Sequence, residues 1–380
     1  MSKSLLKSTS WAMGCMLIVF GFAACGHAAE EAQKVEYTNR REVMQNEALR
    51  RDFTLQGEYT VKKEGETYGL QLIADGGGKF RFAGYYGGLP NEHWQTDDPR
   101  VLGNVILEDN TLQFETTKFY DLGKEQALEE LPQEFKSFKA VYEIVSPQRP
   151  ENNNQRVRGL AGPTVTLKAG LGSDSYEFQK VVRRSPTLGE KAPEGAVVIF
   201  DGSHLDQFEP GARLNESQRP AQNTLWSEAL TKPLEQKPFH LHLEFLTSYM
   251  PTAHGQGRSN SGVYLNECYE CQILDSFGLN LANNECGGFY SIKAPDINAC
   301  FPPLTWQTYD FFFTPPKYDG DKKVENARLT LKLNGVTIHN DIELIHETPG
   351  RKREANEPRG LYLQGHGNNV QYRNIWVKYQ

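Results

Sequence analysis

Between Asn260 and Gly278 the chain reads NSGVYLNECYECQILDSFG, which crowds thiols, carboxylates and amides into one short run. Cys268 and Cys271 have the spacing of a zinc or redox pair, but the surrounding residues read as a β-strand. Residues three apart on a strand point to opposite faces, so these two thiols do not bond each other. A zinc ribbon also needs a second close pair, and Cys286 and Cys300 are too widely separated to supply one. Strand parity directs attention to the glutamate instead. Cys268, Glu270, Gln272 and Leu274 share one face, whereas Tyr269, Cys271 and Ile273 form an apolar set for the core. Asp275 falls at the strand end.

Other stretches supply partners. In LYLQGHG, Leu361 and Leu363 are the core set, which leaves Tyr362, Gln364 and His366 together. In HLHLEF the same alternation leaves His240, His242 and Glu244 on one face. This resembles a metal triad, but the pattern itself reads as a solvated strand face. Arg258, Asn260 and Ser261 in GRSNSG are candidates for binding a ligand's hydroxyls or carbonyl, against ordinary turn chemistry. Lys293 is an electrophile candidate, and Trp306 is a candidate for stacking on a ligand ring, against core packing. Arg373 alternates with Ile375 and Val377, so a buried ion pair with a core carboxylate is expected of it. Asn334-Gly335 is assigned to a hairpin turn alone.

These side chains need a scaffold, and the sequence indicates an all-β one. Gly 34 and Pro 20 in 380 residues, with few helix-period runs, point to turn-rich strands. Basic residues ahead of WAMGCMLIVFGFAAC make residues 1–24 a secretory signal. FAAC resembles a lipobox with Cys25 acylated; ordinary cleavage near Ala28 or Ala29 is the other reading. Either way the protein is exported, to the periplasm, the outer membrane or the medium, and any membrane attachment runs through Cys25. Residues 25–51 read as a tether or short helix, and 52–182 as a β-rich domain with one short helix in DLGKEQALEELPQEF. The proline-bearing segment 183–193 reads as a linker, and 194–380 as a β-sandwich of jelly-roll type. In an oxidising compartment one or two disulfides are expected, with Cys286–Cys300 closing a loop. The net charge of −7 and the lack of a basic stripe argue against a nucleic-acid partner.

VIFDGSHLDQF, FHLHLEF, GRSNSGVYL, YECQILDS, CGGFY, APDINACFPPLTWQTYDFFF, TLKLNGVTIHND and LYLQGHGNNVQYRNIWV occur in this order. Together they resemble the 3-keto-disaccharide hydrolase family. The resemblance implies a concanavalin-like jelly roll and cleavage of glycosides already oxidised at C3. It covers about half of the chain. The region before it, LQGEY…GLQLIADGGGKF…GYYGGLPNEHW, resembles a domain that precedes this one in some relatives and implies no function.

A ketone at C3 acidifies the C2 hydrogen, so a base can remove it and the C1 substituent can leave by β-elimination before water adds back. That route needs a base, a donor for the leaving oxygen and a group facing the enolate oxygen. Parity and resemblance together make Glu270 the base. His366 is the second acid/base, Asp275 a further carboxyl, and Arg258 the enolate partner. Glu244 also matches the family, and Asn260, Ser261, Gln272, Gln364 and Tyr362 would bind substrate. Two other readings stay open: a carbohydrate-binding module without catalysis, and a conventional glycosidase using Glu270 with Asp275 or Glu244. The sequence calls for no cofactor and leaves a divalent metal open.

Overall fold

The structure, a computed structural model, describes residues 36–146, 163–217 and 222–380, all within one compact unit. The signal segment, Cys25 and most of the polar loop 146–159 lie outside the described residues.

Two short helices come first, α1 (Arg40–Gln45) and α2 (Glu47–Leu55). Asn46 caps α2 by accepting from the Ala48 and Leu49 amides, and the helix buries Phe53 and Leu55. Nine strands follow: β1 Gly57–Lys63, β2 Glu66–Gly76, β3 Lys79–Tyr86, β4 Arg100–Glu108, β5 Thr111–Asp121, β6 Lys124–Gln126, β7 Ser137–Val145, β8 Thr164–Leu171 and β9 Asp174–Val181. Their order is β4-β3-β2-β1-β9-β8-β7-β5-β6, and β4 also pairs with β5. The sheet therefore closes on itself as an eight-stranded up-and-down antiparallel barrel, with β6 attached to β5. Gly76, Gly77 and Gly78 all take positive φ in the β2–β3 turn, where side chains would be strained. The stretch 121–135, read as one helix, instead holds β6, a 3₁₀ turn and the start of a four-residue helix, Gln133–Lys136, behind Pro132.

Residues beyond 196 form a sandwich of two antiparallel sheets. The eight-stranded sheet is centred on Phe239–Leu246, which pairs with Gln307–Thr314 and Gln371–Tyr379. The four-stranded sheet contains Ala229–Leu230, Tyr362–Leu363, Ser261–Leu265 and Tyr269–Ile273. Between them lies an apolar core that includes Leu241, Leu243, Phe311, Tyr269, Cys271 and Leu363. Asn334 and Gly335 both take positive φ in a tight hairpin, as expected. Asn334 does more: its amide also donates to the Ala299 carbonyl and Gln307, and its oxygen accepts from the Thr308 amide.

All four described cysteines are buried free thiols, a correction to the expected Cys286–Cys300 disulfide. Cys286 and Cys300 are hydrogen-bonded neighbours in the apolar core, and Cys286 Sγ lies 3.2 Å from Tyr309 Oη. Cys268 sits in a turn just before its strand and joins the core cluster, not the Glu270 face.

Segment 183–193 is fastened to both bodies. Arg183 pairs with Glu58 of the barrel and donates to the Pro90 carbonyl. Ser185 Oγ lies 2.6 Å from Thr308 Oγ1, Thr187 Oγ1 donates to Asp310, and the Gly189 amide donates to Glu244. The Glu190 carbonyl accepts from Asn374 and Trp376. This strap roofs His242 and Glu244, so the solvated-face reading of HLHLEF is corrected: both residues are fully buried. Buried charge persists only when paired. Here Asp310 Oδ1 contacts both His242 Nδ1 (2.8 Å) and His240 Nε2 (3.1 Å), while Glu244 binds Arg373 at 2.6 Å. Arg373 thus has the core-carboxylate partner expected of it.

Candidate active site

The Glu270 strand is the second arm of a hairpin whose turn residues, Asn266 and Glu267, both have positive φ. The register places Tyr264 opposite Glu270, and Gly262 opposite Gln272. On the other side Tyr264 faces Tyr362, and the Gln364 amide donates to the Gly262 carbonyl. Two rows therefore cross the sheet on one face: Tyr362, Tyr264, Glu270, and Gln364, Gly262, Gln272. Because strand side chains alternate, Val263, Leu265, Cys271, Ile273 and Leu363 point into the core.

Glu270 is 7% exposed. Tyr264 Oη donates to its Oε2 at 2.8 Å, and its amide donates to Thr348 Oγ1. Gly262 is required beside it, since a Cβ there would lie 2.6 Å from Glu270 Oε1. Burial pushes the Glu270 carboxyl above its ordinary range. The Tyr264 hydrogen bond, the nearby His366 and Gln364 work in the opposite direction without cancelling it. The site thus holds a carboxylate made more basic than usual, with an exposed imidazole, His366, close enough to bias it.

Around it several amide oxygens lack donors. Gln272 Nε2 donates to Gln256 Oε1 at 3.0 Å, and Asn260 Nδ2 donates to the Gln256 carbonyl at 2.8 Å. Gln272 Oε1, Asn260 Oδ1 and Gln364 Oε1 are buried without hydrogen-bond partners. Such orphaned acceptors are unfavourable unless water or a ligand's hydroxyl donates to them.

The remaining candidates are placed elsewhere or otherwise engaged. Arg258 and Asp275 form a closed pair, Nε to Oδ2 at 2.7 Å, and the rest of the guanidinium reaches Asp75 and the Ala74, Pro251 and Ala253 carbonyls. Arg258 is therefore a bolt between barrel and sandwich rather than an enolate partner, and Asp275 is its counter-ion. Ser261 Oγ contacts the Gln364 carbonyl and Tyr372 Oη, both at 2.6 Å. Lys293 pairs with Asp296. Trp306 lies in a different cleft, between the barrel, the strap and the sandwich, under the Arg373 guanidinium at 4.0 Å. Glu244 is beneath the strap. Glu190, His242 and Asp310 could gather around a metal ion, but the imidazole and carboxylate already bind each other.

Sequence reading missed Tyr264, Gln256 and Arg351. Tyr264 lies two residues after Gly262 in SGVYL, and pairing that run with CYECQ would have revealed it. Arg351 stacks on the Tyr362 ring at 3.6 Å and pairs with Glu267 at 2.8 Å. Its loop passes over Tyr264, whose hydroxyl lies 2.9 Å from where a Cβ on Gly350 would be. No local pattern announces that approach.

A β-sandwich that presents a basic carboxylate among unpartnered amide oxygens is the kind of surface carbohydrate-active domains use. Residues 195–378, just under half of the chain, match the model of the 3-keto-alpha-glucoside-1,2-lyase-like domain family. Two solved structures from Parabacteroides distasonis, each assigned provisionally as a glycosyl hydrolase, resemble the chain. One is 27% identical, covering 50% of this chain and 86% of its own with a TM-score of 0.43. The other is 17% identical, covering 49% and 95%, with a TM-score of 0.33. Comparison with curated proteins found no match.

Proposed function

We propose that the sandwich domain cleaves 3-keto-glycosides by elimination across C1 and C2, followed by hydration. Glu270 takes the C2 proton, and the electron pair passes through the C3 ketone as an enolate. It then returns to form the C1–C2 double bond as the C1–oxygen bond breaks. His366 protonates the leaving oxygen. Water adds back, placing hydroxyl on C1 and hydrogen on C2, so the sum is hydrolysis. The observation that carries this reading is the burial-raised carboxyl of Glu270 held at 2.8 Å by Tyr264 amid oxygens that lack donors. The family description names the same 1,2 bond. The conventional glycosidase is disfavoured because its second carboxyl would be Asp275 or Glu244, and each is engaged by an arginine.

The test supplies an ordinary disaccharide and its 3-keto form, in deuterated water, to wild type and to Glu270→Gln. Cleavage of the keto form alone, with deuterium at C2, is expected. The variant should lose about 10²–10⁴-fold in rate, the usual worth of a general base. Cleavage of the unoxidised sugar would overturn the proposal in favour of two-carboxylate hydrolysis. Binding of both sugars without turnover would leave a lectin.

A further inference from the structure

Eight-stranded barrels either fill their interior with side chains or enclose one small ligand. This one does both, at opposite ends. Toward the α2 end, Phe53, Leu55, Tyr59, Leu72, Phe80 and Leu112 pack solidly. Toward the other end, inward positions are occupied by Gly84, Ala140 and Ala169, and a cavity of about 290 Å³ remains.

The walls of that cavity are rings. Phe82, Phe114, Phe138 and Phe178 line it, with Tyr68 and Tyr176 edge-to-face at 5.5 Å. The Tyr68 ring also meets Tyr86, which is 41% exposed and places the cavity at the surface. An apolar cavity of about 150 Å³ stays dry and takes up benzene, so one nearly twice that size suits two fused rings.

Charge around the cavity selects further. Lys63 is paired with Asp174 at 2.8 Å, and Arg100 donates Nη2 to Asn280 of the sandwich at 2.9 Å. The Arg100 guanidinium also packs over the Tyr120 and Trp94 rings, outside the cavity, so the wall presents rings and aliphatic groups with no charge aimed inward. An uncharged ligand suits such a wall, since a buried charge without a partner is costly.

We infer that the barrel is a binding site for an uncharged, planar, two-ring molecule, held by the phenylalanine and tyrosine rings of its wall. The site is separate from the Glu270 face and does not depend on its chemistry.

The test titrates the full chain with 7-methoxycoumarin by fluorescence, without any sugar. Saturable binding of one molecule per chain is expected. Ala169→Phe, and Ala140→Leu as a milder filling, should weaken it by about tenfold or more, since filled volume excludes the rings. Thermal melting confirms that each variant is folded. Naphthalene, which carries no polar atom, should displace the coumarin from the same site. The proposal is overturned if the wild type does not bind the coumarin saturably, or if a folded cavity-filling variant binds it as well as wild type does. Preference for dodecanoate over the coumarin would overturn the ligand class.

Discussion

Arg258 Nε lies 2.7 Å from Asp275 Oδ2, with both side chains closed to solvent and the barrel's Asp75 3.4 Å from the same guanidinium. Breaking such a pair from one side strands the other charge, at about 3–5 kcal/mol. Asp275→Asn should therefore lower the unfolding free energy read from urea titration by that order, while turnover per folded molecule stays near wild type. A selective loss of turnover in a fully stable variant would return Asp275 to the chemistry.

Tyr264→Phe tests the other side of the site. The phenol stabilises the charged form of Glu270, so its removal raises that carboxyl further. The acid limb of the kcat/KM profile should move up by about one pH unit, the scale of one hydrogen bond to a charged group. An unmoved limb would mean that Glu270 does not set it.

Gly262→Ala separates position from identity. The added methyl would meet Glu270 Oε1 at 2.6 Å, and the flexible carboxylate must swing away. The protein should fold, yet lose about a hundredfold in turnover through misplacement alone. Circular dichroism and steady-state kinetics on one preparation would read both.

Stability should have two edges in pH. Burial would push His242 down, but the hydrogen bond to Asp310 and the Glu244 carboxylate 3.9 Å away overcome it and carry the imidazole to about 9, from 6.5. Burial likewise pushes Glu244 up, and His242, Arg373 and Asn374 reverse it to about 2, from 4.5. The histidine contribution is complete below 6.5 and is lost as pH rises through 9. That of Glu244 is complete above 4.5 and is lost as pH falls through 2. A plateau in melting temperature between about 4.5 and 6.5 should follow, and His242→Gln should flatten its alkaline shoulder.

What the sequence disclosed and what it hid follow from distance along the chain. Glu270 and Gln272 were legible because two-residue periodicity is local and the alternate positions were plainly apolar. Tyr264 required the pairing register. Arg258 required Asp75 and Ala74, some 183 residues away, so GRSNSG read as turn chemistry. His242 and Glu244 alternate as a solvated face should; only the strap, arriving from before the sandwich, turns that face into interior. The barrel's strands were visible one by one, but closure through β4–β5 is a property of the whole sheet.

The strap also governs how separable the two bodies are. A chain begun at residue 194 would leave behind Thr187, Gly189 and Glu190, and with them the hydrogen bonds that shelter Asp310, Glu244, Asn374 and Trp376. Water would then enter where two carboxylates and an imidazole now sit dry. The sandwich is not a portable module cut at its apparent boundary: its roof is encoded upstream of it.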